Sequence, residues 1–419
     1  MTANGPGGPG GPGGPVVSGG PGAPTGVDEA GDTGGRGAPR AGWVERALRE
    51  HHEHHEHHER DQVPDREQQV LDRIDRARRR RPRVREQRIT MSHGAGGKAT
   101  ATLIEAIFLD AFRNPLLEPL EDAASLTVGG ARVAFTTDSY VVSPLFFPGG
   151  DIGELAINGT VNDLAVSGAT PLYLSAGFIL EEGFPVADLT RIAESMRTAA
   201  AAAGISVVTG DTKVVQRGKA DGCYINTAGV GVLDRDVPLG VARAQPGDAI
   251  IVSGPIGDHG VTIMLARGEL DIEADVQSDT APLNGLVAGL LGAVPGVRAM
   301  RDATRGGVAT ILNEIAKSAD VGVLVNEDDI PVRPEVRGAA ELLGIDPMYV
   351  ACEGRLVAVV AGNQAGQAQA ALRTHPLGAQ ASVIGHVTDG PPGIVHLKTA
   401  FGGTRIVDLL VGDPLPRIC

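Results

Sequence analysis

Residues 133–171 read VAFTTDSYVVSPLFFPGGDIGELAINGTVNDLAVSGATP. The first ten alternate in polarity and then run apolar, as a strand with one covered face does. Asp151 stands where a helix N-cap belongs, with Glu154 three residues on to complete a capping box, and Gly168 and Pro171 close the helix. Beyond it, PLYLSAGFIL (171–180) reads as a strand and VADLTRIAESMRTAAAAAGI (186–205) as a helix ended by Gly204. ISVVTGDTKVV (205–215) and DGCYINTAGVGVL (221–233) continue as β segments. A second unit starts near GDAIIVSGPIGDHG (247–260) and carries helices near 261–267, 284–292 and 306–319. Strands and helices alternate without the regular repeat of a doubly wound sheet. The expectation is an α+β chain of two halves joined near residue 240, followed by an extended tail.

Composition narrows the function. With 419 residues and 42% hydrophobic content the chain can bury a sizeable core, but at 3% aromatic that core is aliphatic. A formal charge of −14 argues against nucleic-acid binding. No apolar run of roughly 18 residues is present, so no membrane span is expected. Cys223, Cys352 and Cys419 are far apart and odd in number, which fits a reducing cytoplasm rather than a disulfide framework. The first 42 or so residues are dominated by Gly and Pro and read as disordered. HHEHHEHHER (51–60) and an Arg-rich stretch (73–85) follow. His51, His54, His55 and His58 would lie close together on a helix and suit Ni²⁺ or Zn²⁺, although a solvated polar segment explains them equally.

Four local patterns carry chemistry. SHGAGGKAT (92–100) sets three glycines before a Lys and a helical ATLIEAIFLDAF, so backbone N–H groups could approach an anion; a simple turn is the plain alternative. Asp138, Asp163, Asp211 and Asp302 each end or flank an apolar segment. Singly these are turn or cap residues. Converging on a nucleotide they would repel its phosphates unless a hard divalent cation such as Mg²⁺ lay between. Arg305, in RDATRGGVATILNEIA (301–316), precedes a helix and could clamp phosphate. Lys213 and Glu353 are charged residues inside apolar runs, which requires a partner or a function. The final DPLPRIC (413–419) stiffens the arm with Pro414 and Pro416 and puts a nucleophile at its tip.

These residues resemble the HypE family, within the superfamily of aminoimidazole-ribonucleotide synthetase, thiamin-monophosphate kinase and selenophosphate synthetase. The likeness rests on SHGAGG, TTDSYVVSPLFFPGGDIGELAINGTVNDLAVSGATP, ILEEG, VTGDTKVV, SGPIGDHG, RDATRGGVA and the terminal PRIC, in family order over about residues 89–419. The resemblance implies a two-domain synthetase-like fold. It divides the chain into an extension (1–86), an ATP-binding and dimerising N-terminal domain (87–240), a C-terminal α+β domain (241–400) and a mobile tail (401–419). It further implies that a HypF partner carbamoylates Cys419 and that ATP drives dehydration of this S-carboxamide to an S-cyanide. The HypC–HypD complex then receives the cyanide for a [NiFe]-hydrogenase. Phosphorylation would make the amide oxygen a leaving group, and a base would remove the amide protons as C≡N forms. On this reading Asp138, Asp163 and Asp302 hold metal, and Cys419, Lys213 and Glu353 do the chemistry, with the choice of base between the last two open. His93, Gly94, Gly96, Gly97, Asp151, Asn162, Gly210, Asp211, Thr212 and Arg305 are the nucleotide-binding candidates. The chain departs from the family at Cys352, where Asn is usual, and in its first 86 or so residues. Two rivals stay open: an ATP-dependent enzyme of the superfamily acting on a free small molecule, and a non-catalytic metal-delivery scaffold.

Overall fold

A computed structural model describes residues 83–234, 239–268, 274–412 and 417–419. All fall in one compact unit, 69–419. The Gly/Pro tract, HHEHHEHHER and the arginine run up to residue 82 lie outside the described residues, as do Pro414 and Pro416.

The first sheet comprises β1 (Ala124–Val128), β2 (Ala131–Tyr140), β3 (Thr170–Glu181), β4 (Ser206–Val215) and β5 (Cys223–Val232), in the order β1-β2-β5-β3-β4. Even-numbered residues of β2 from Ala134 to Tyr140 point inward, and the odd ones between them are exposed or nearly so. The covered face carries α1 (Ile152–Val166) and α2 (Val186–Ala203). Asp151 caps α1 as the sequence indicates, its Oδ1 accepting from the N–H groups of Gly153 (2.8 Å) and Glu154 (3.1 Å). Almost every residue of α1 is buried, because the helix also packs against the second half.

That second half is a seven-stranded sheet. Its strands are β6 (Ala249–Val252), β7 (Val297–Asp302), β8 (Gly322–Asn326), β9 (Leu356–Val360), β10 (Ser382–Thr388), β11 (Ile394–Lys398) and β12 (Thr404–Ile406), ordered β12-β11-β8-β10-β6-β9-β7. Its helices include α3 (Asp258–Ala266), α4 (Asn284–Ala293), α5 (Gly307–Ser318), α6 (Pro334–Leu343) and α7 (Ala365–Arg373). α1 contacts β2 and β5 on one side and β7 and α4 on the other, so carboxylates from both halves can meet beside it. No helix among the described residues is long and apolar enough to cross a membrane.

Candidate active site

Asp138 lies on the inward row of β2, Asp163 on α1, Asp302 at the last residue of β7, and Asp122 in the segment entering β1. One carboxylate oxygen from each of Asp122, Asp163 and Asp302 lies within 4.8 Å of the others. Asp138 adjoins this trio, close to Asp163, and accepts from the Thr160 hydroxyl (3.2 Å). Asp163 and Asp302 of the trio expected from sequence thus come together, with Asp122 joining them and Asp138 beside them. Burial pushes Asp122 and Asp163 well above the usual carboxylate range, and pushes Asp302 to about 7 with help from the charge of Asp138. Arg301, buried, pairs with Asp122 and Glu121 and donates to the Leu120 carbonyl (2.9 Å), which fixes the segment carrying Asp122. Buried oxygen donors that repel one another suit a hard divalent cation.

The terminal thiol faces the same place. The last residues form an antiparallel bridge, Val142 to Ile418, in which Val141 N–H donates to the Cys419 carbonyl (3.0 Å) and Ser143 N–H to that of Arg417 (3.1 Å). Ile418 is buried in the core shared by α1, α2 and α3. The Cys419 thiol lies close to the Glu353 carboxyl, Arg305 and Asp138. Burial first, with Glu353 adding and Arg305 opposing, pushes the thiol up to about 12. A raised pKa favours the protonated thiol, so seating of the tail is complete below the free-thiol value of roughly 8.5 and is lost as pH climbs toward the seated value. Iodoacetamide labelling of Cys419 should therefore lag behind that of a free DPLPRIC peptide near pH 8, and the gap should close with rising pH. Equal rates at pH 8 would show that the tail does not rest seated.

Glu353 is 3% exposed, and its Oε1 has no partner among the described residues. Burial, then the charges of Asp302 and Asp279, hold its carboxyl well above the ordinary range. Its backbone is pinned from both sides: its N–H donates to Asp279 Oδ1 (2.9 Å), and its carbonyl accepts from Asn162 Nδ2 (3.4 Å).

The glycine loop runs past Arg305. Gly96 has φ +74°, and a Cβ there would come within 2.6 Å of the Arg305 carbonyl oxygen, so glycine is required. Arg305 Nη1 reaches the Gly94 carbonyl (3.4 Å), and Lys98 N–H donates to the Leu410 carbonyl (2.9 Å). Gly96 of the loop, Arg305 and Asp122 line a cavity of about 1450 Å³ together with the apolar Leu116, Leu117 and Phe135.

Several sequence candidates fall elsewhere. Gly210, Asp211, Thr212 and Lys213 lie on β4, the edge strand. The register Asp138–Thr227–Ala176–Gly210 puts that edge three strand spacings from Asp138, about 14 Å. Lys213 is not buried as its apolar run suggested; it is 68% exposed and pairs with Asp211 at 2.5 Å. Both amide atoms of Asn162 bond backbone, Oδ1 accepting from Leu283 N–H (2.7 Å) and Nδ2 donating to the carbonyls of Ala281 and Glu353. Asp151 caps its helix, and His93 Nδ1 accepts from Thr90 N–H (3.1 Å), so neither faces the cavity with that atom free. Sequence reading missed Asp122, Tyr140, Asp279 and His259. Asp122 follows the same rule as the other aspartates, an acid flanking an apolar strand.

Two comparisons define the class. Residues 120–233 match the AIR synthase related protein N-terminal domain, and residues 245–398 the corresponding C-terminal domain. The fold is that of an AIR-synthase-related chain. Within that class the chain is 54% identical over 350 residues to the carbamoyl dehydratase HypE of Rhizobium leguminosarum bv. viciae, covering 83% of this chain and 100% of the relative. Solved structures agree. A HypE–HypF complex superposes with TM-score 0.70 at 47% identity (74% of this chain, 99% of that one), and HypE in complex with ATP with TM-score 0.67 at 47% identity (79% and 100%). The chain belongs to the HypE family.

Proposed function

We propose that this chain dehydrates a carbamoyl group carried on its own Cys419 to an S-cyanide at the expense of ATP, supplying cyanide ligands for [NiFe]-hydrogenase maturation. The observation that carries the reading is the terminal thiol close to Glu353 and Arg305, near a partly buried carboxylate cluster. A free small-molecule substrate would find that position filled by the protein's own tail.

The cavity offers a nucleotide an apolar wall at Leu116, Leu117 and Phe135 and a polar end at the glycine loop and Arg305. Arg305 is the cation placed to draw phosphate toward the tail. Asp122, Asp163 and Asp302, with Asp138 beside them, would hold Mg²⁺, which when bound neutralises phosphate charge. Glu353, poised above the usual carboxylate range, takes a proton from the carboxamide nitrogen as the phosphorylated oxygen leaves. Asp122→Asn should raise the half-saturating Mg²⁺ concentration for ATP turnover by at least the roughly 10–100-fold that lost supporting contacts cost; titration of the magnesium requirement checks it.

A HypF-type carbamoyltransferase would load the thiol and a HypC–HypD complex would accept the cyanide, both in the cytoplasm; the known HypE–HypF assembly supports the first. The open face and edge of the first sheet expose Phe135, Tyr173, Ile179, Val208 and Val214, which suits a homodimer. Lys213 cannot reach its own tail across the sheet, so its part in catalysis would come from the second copy. Ni²⁺ or Zn²⁺ on HHEHHEHHER stays a separate proposal. The test is mass spectrometry of the terminal peptide after incubation with a HypF-type enzyme, carbamoyl phosphate and ATP. Carbamoylated Cys419 should lose one water only when ATP is present; carbamoylation without that loss, or ATP-dependent modification of an added small molecule, refutes the reading.

A further inference from the structure

We infer that His259 seats the loaded cysteine by holding the carbonyl of the preceding residue; the inference rests on the reading of Cys419 as the group that carries the substrate. His259 is fully buried at the second position of α3. The start of that helix is jammed in place: a Cβ on Gly260 would come within 2.6 Å of Val350 Cγ1, and Gly260 N–H donates to the Ala351 carbonyl (3.0 Å). Phe147 packs edge-on against the imidazole, ring centroids 5.6 Å apart at 83°.

The hydrogen-bond pattern selects one tautomer. The Ile418 carbonyl only accepts, so Nε2 at 2.5 Å from it carries the ring proton and donates it. Nδ1 then accepts from the Ser278 hydroxyl (2.8 Å), whose oxygen in turn accepts from Thr280 N–H (3.2 Å). Burial disfavours the imidazolium, keeping the ring neutral with a fixed donor.

The bond matters because of how the tail pairs. Along an extended chain successive carbonyls point to opposite sides. Those of Arg417 and Cys419 accept from Ser143 and Val141, so that of Ile418 points away from β2 and into the protein. Without His259 it would be a buried acceptor with no donor, a costly state. This carbonyl shares a rigid peptide plane with the Cys419 nitrogen, so fixing it orients the bond from which the thiol springs. His259 is therefore a positioning residue that acts through the backbone of residue 418.

The test uses the full chain and two readouts. One is the iodoacetamide labelling rate of Cys419 at pH 8, which needs no partner. The other is the single-turnover loss of water from pre-carbamoylated protein, with its half-saturating ATP concentration. His259→Phe keeps a ring but no donor; it should label about tenfold faster and dehydrate about tenfold slower, the scale of one buried hydrogen bond, with ATP half-saturation unchanged. His259→Gln, which offers an N–H at similar reach, should recover most of both. Ser278→Ala, which releases the tautomer without touching the tail, should shift both the same way by less, and it serves if the Phe variant fails to fold. Wild-type labelling and turnover in His259→Phe overturn the inference, as does a Gln variant no better than Phe with ATP half-saturation equally damaged in both. If labelling responds as expected while wild-type protein never loses water, the seat stands and the dehydratase reading falls.

Discussion

Glu353→Gln should slow dehydration of the loaded chain by about 10²–10⁴-fold, the usual cost of losing a positioned base, with ATP affinity nearly unchanged. The substitution is close to isosteric. The backbone of Glu353 is anchored by Asp279 and Asn162 independently of its carboxyl, so residue 353 should stay where it is. Burial and neighbouring acids hold that carboxyl above its ordinary range, and its Oε1 lacks a partner among the described residues. A fall in rate without a change in ATP half-saturation marks an interaction realised only in the transition state. The comparison is Lys213→Met, measured by the same single-turnover assay. Lys213 is exposed at a distant strand edge of its own chain, so a loss as deep as that of Glu353→Gln would transfer the base to the lysine of a second copy.

Removing Cys419 should end nitrile formation outright. The loss is total because the thiol is the point of attachment; no residual rate through other groups is available. A chain ending at Ile418 keeps the isoleucine that packs into the core, so thermal stability should move by only a few degrees, and the carboxylate cluster should still support slow ATP hydrolysis. Mass spectrometry of the peptide and an iron-bound nitrile assay with HypC–HypD read the outcome. Cyanide delivery by the shortened chain would eliminate the self-loaded mechanism in favour of a free substrate.

Much of this architecture was legible because short-range rules apply to it. Asp151 capping α1, Gly204 ending α2 in the left-handed region, and the inward row of β2 follow from neighbours a few residues apart. α6 and α7 were not read: PEVRGAAELL and AGQAQAALR are only ten and nine residues long, and alanine and glycine take up much of each. In the site, Asp163 and Asp302 were found by their positions beside apolar segments. Asp122 flanks a strand as the other aspartates do, but it was missed because the partner that fixes it, Arg301, lies 179 residues later. The apolar run around Lys213 looked like a buried strand, but β4 is exposed along nearly its whole length. The bonds of Asn162 were not legible because its amide serves backbone groups more than a hundred residues away. His259 stood in a quoted motif, yet its role depends on Ile418, 159 residues downstream.

The seat of the tail is local: two main-chain bonds beside Val142, one aliphatic plug, and side-chain bonds from His259, Arg267 and Asp221. Released from it, the tail would re-form these contacts at the high local concentration that tethering confers. The reactant therefore never diffuses in, and no dose of it can saturate the site. Output is metered one event per charged chain, and the pace of the cycle belongs to whatever unloads and recharges the arm.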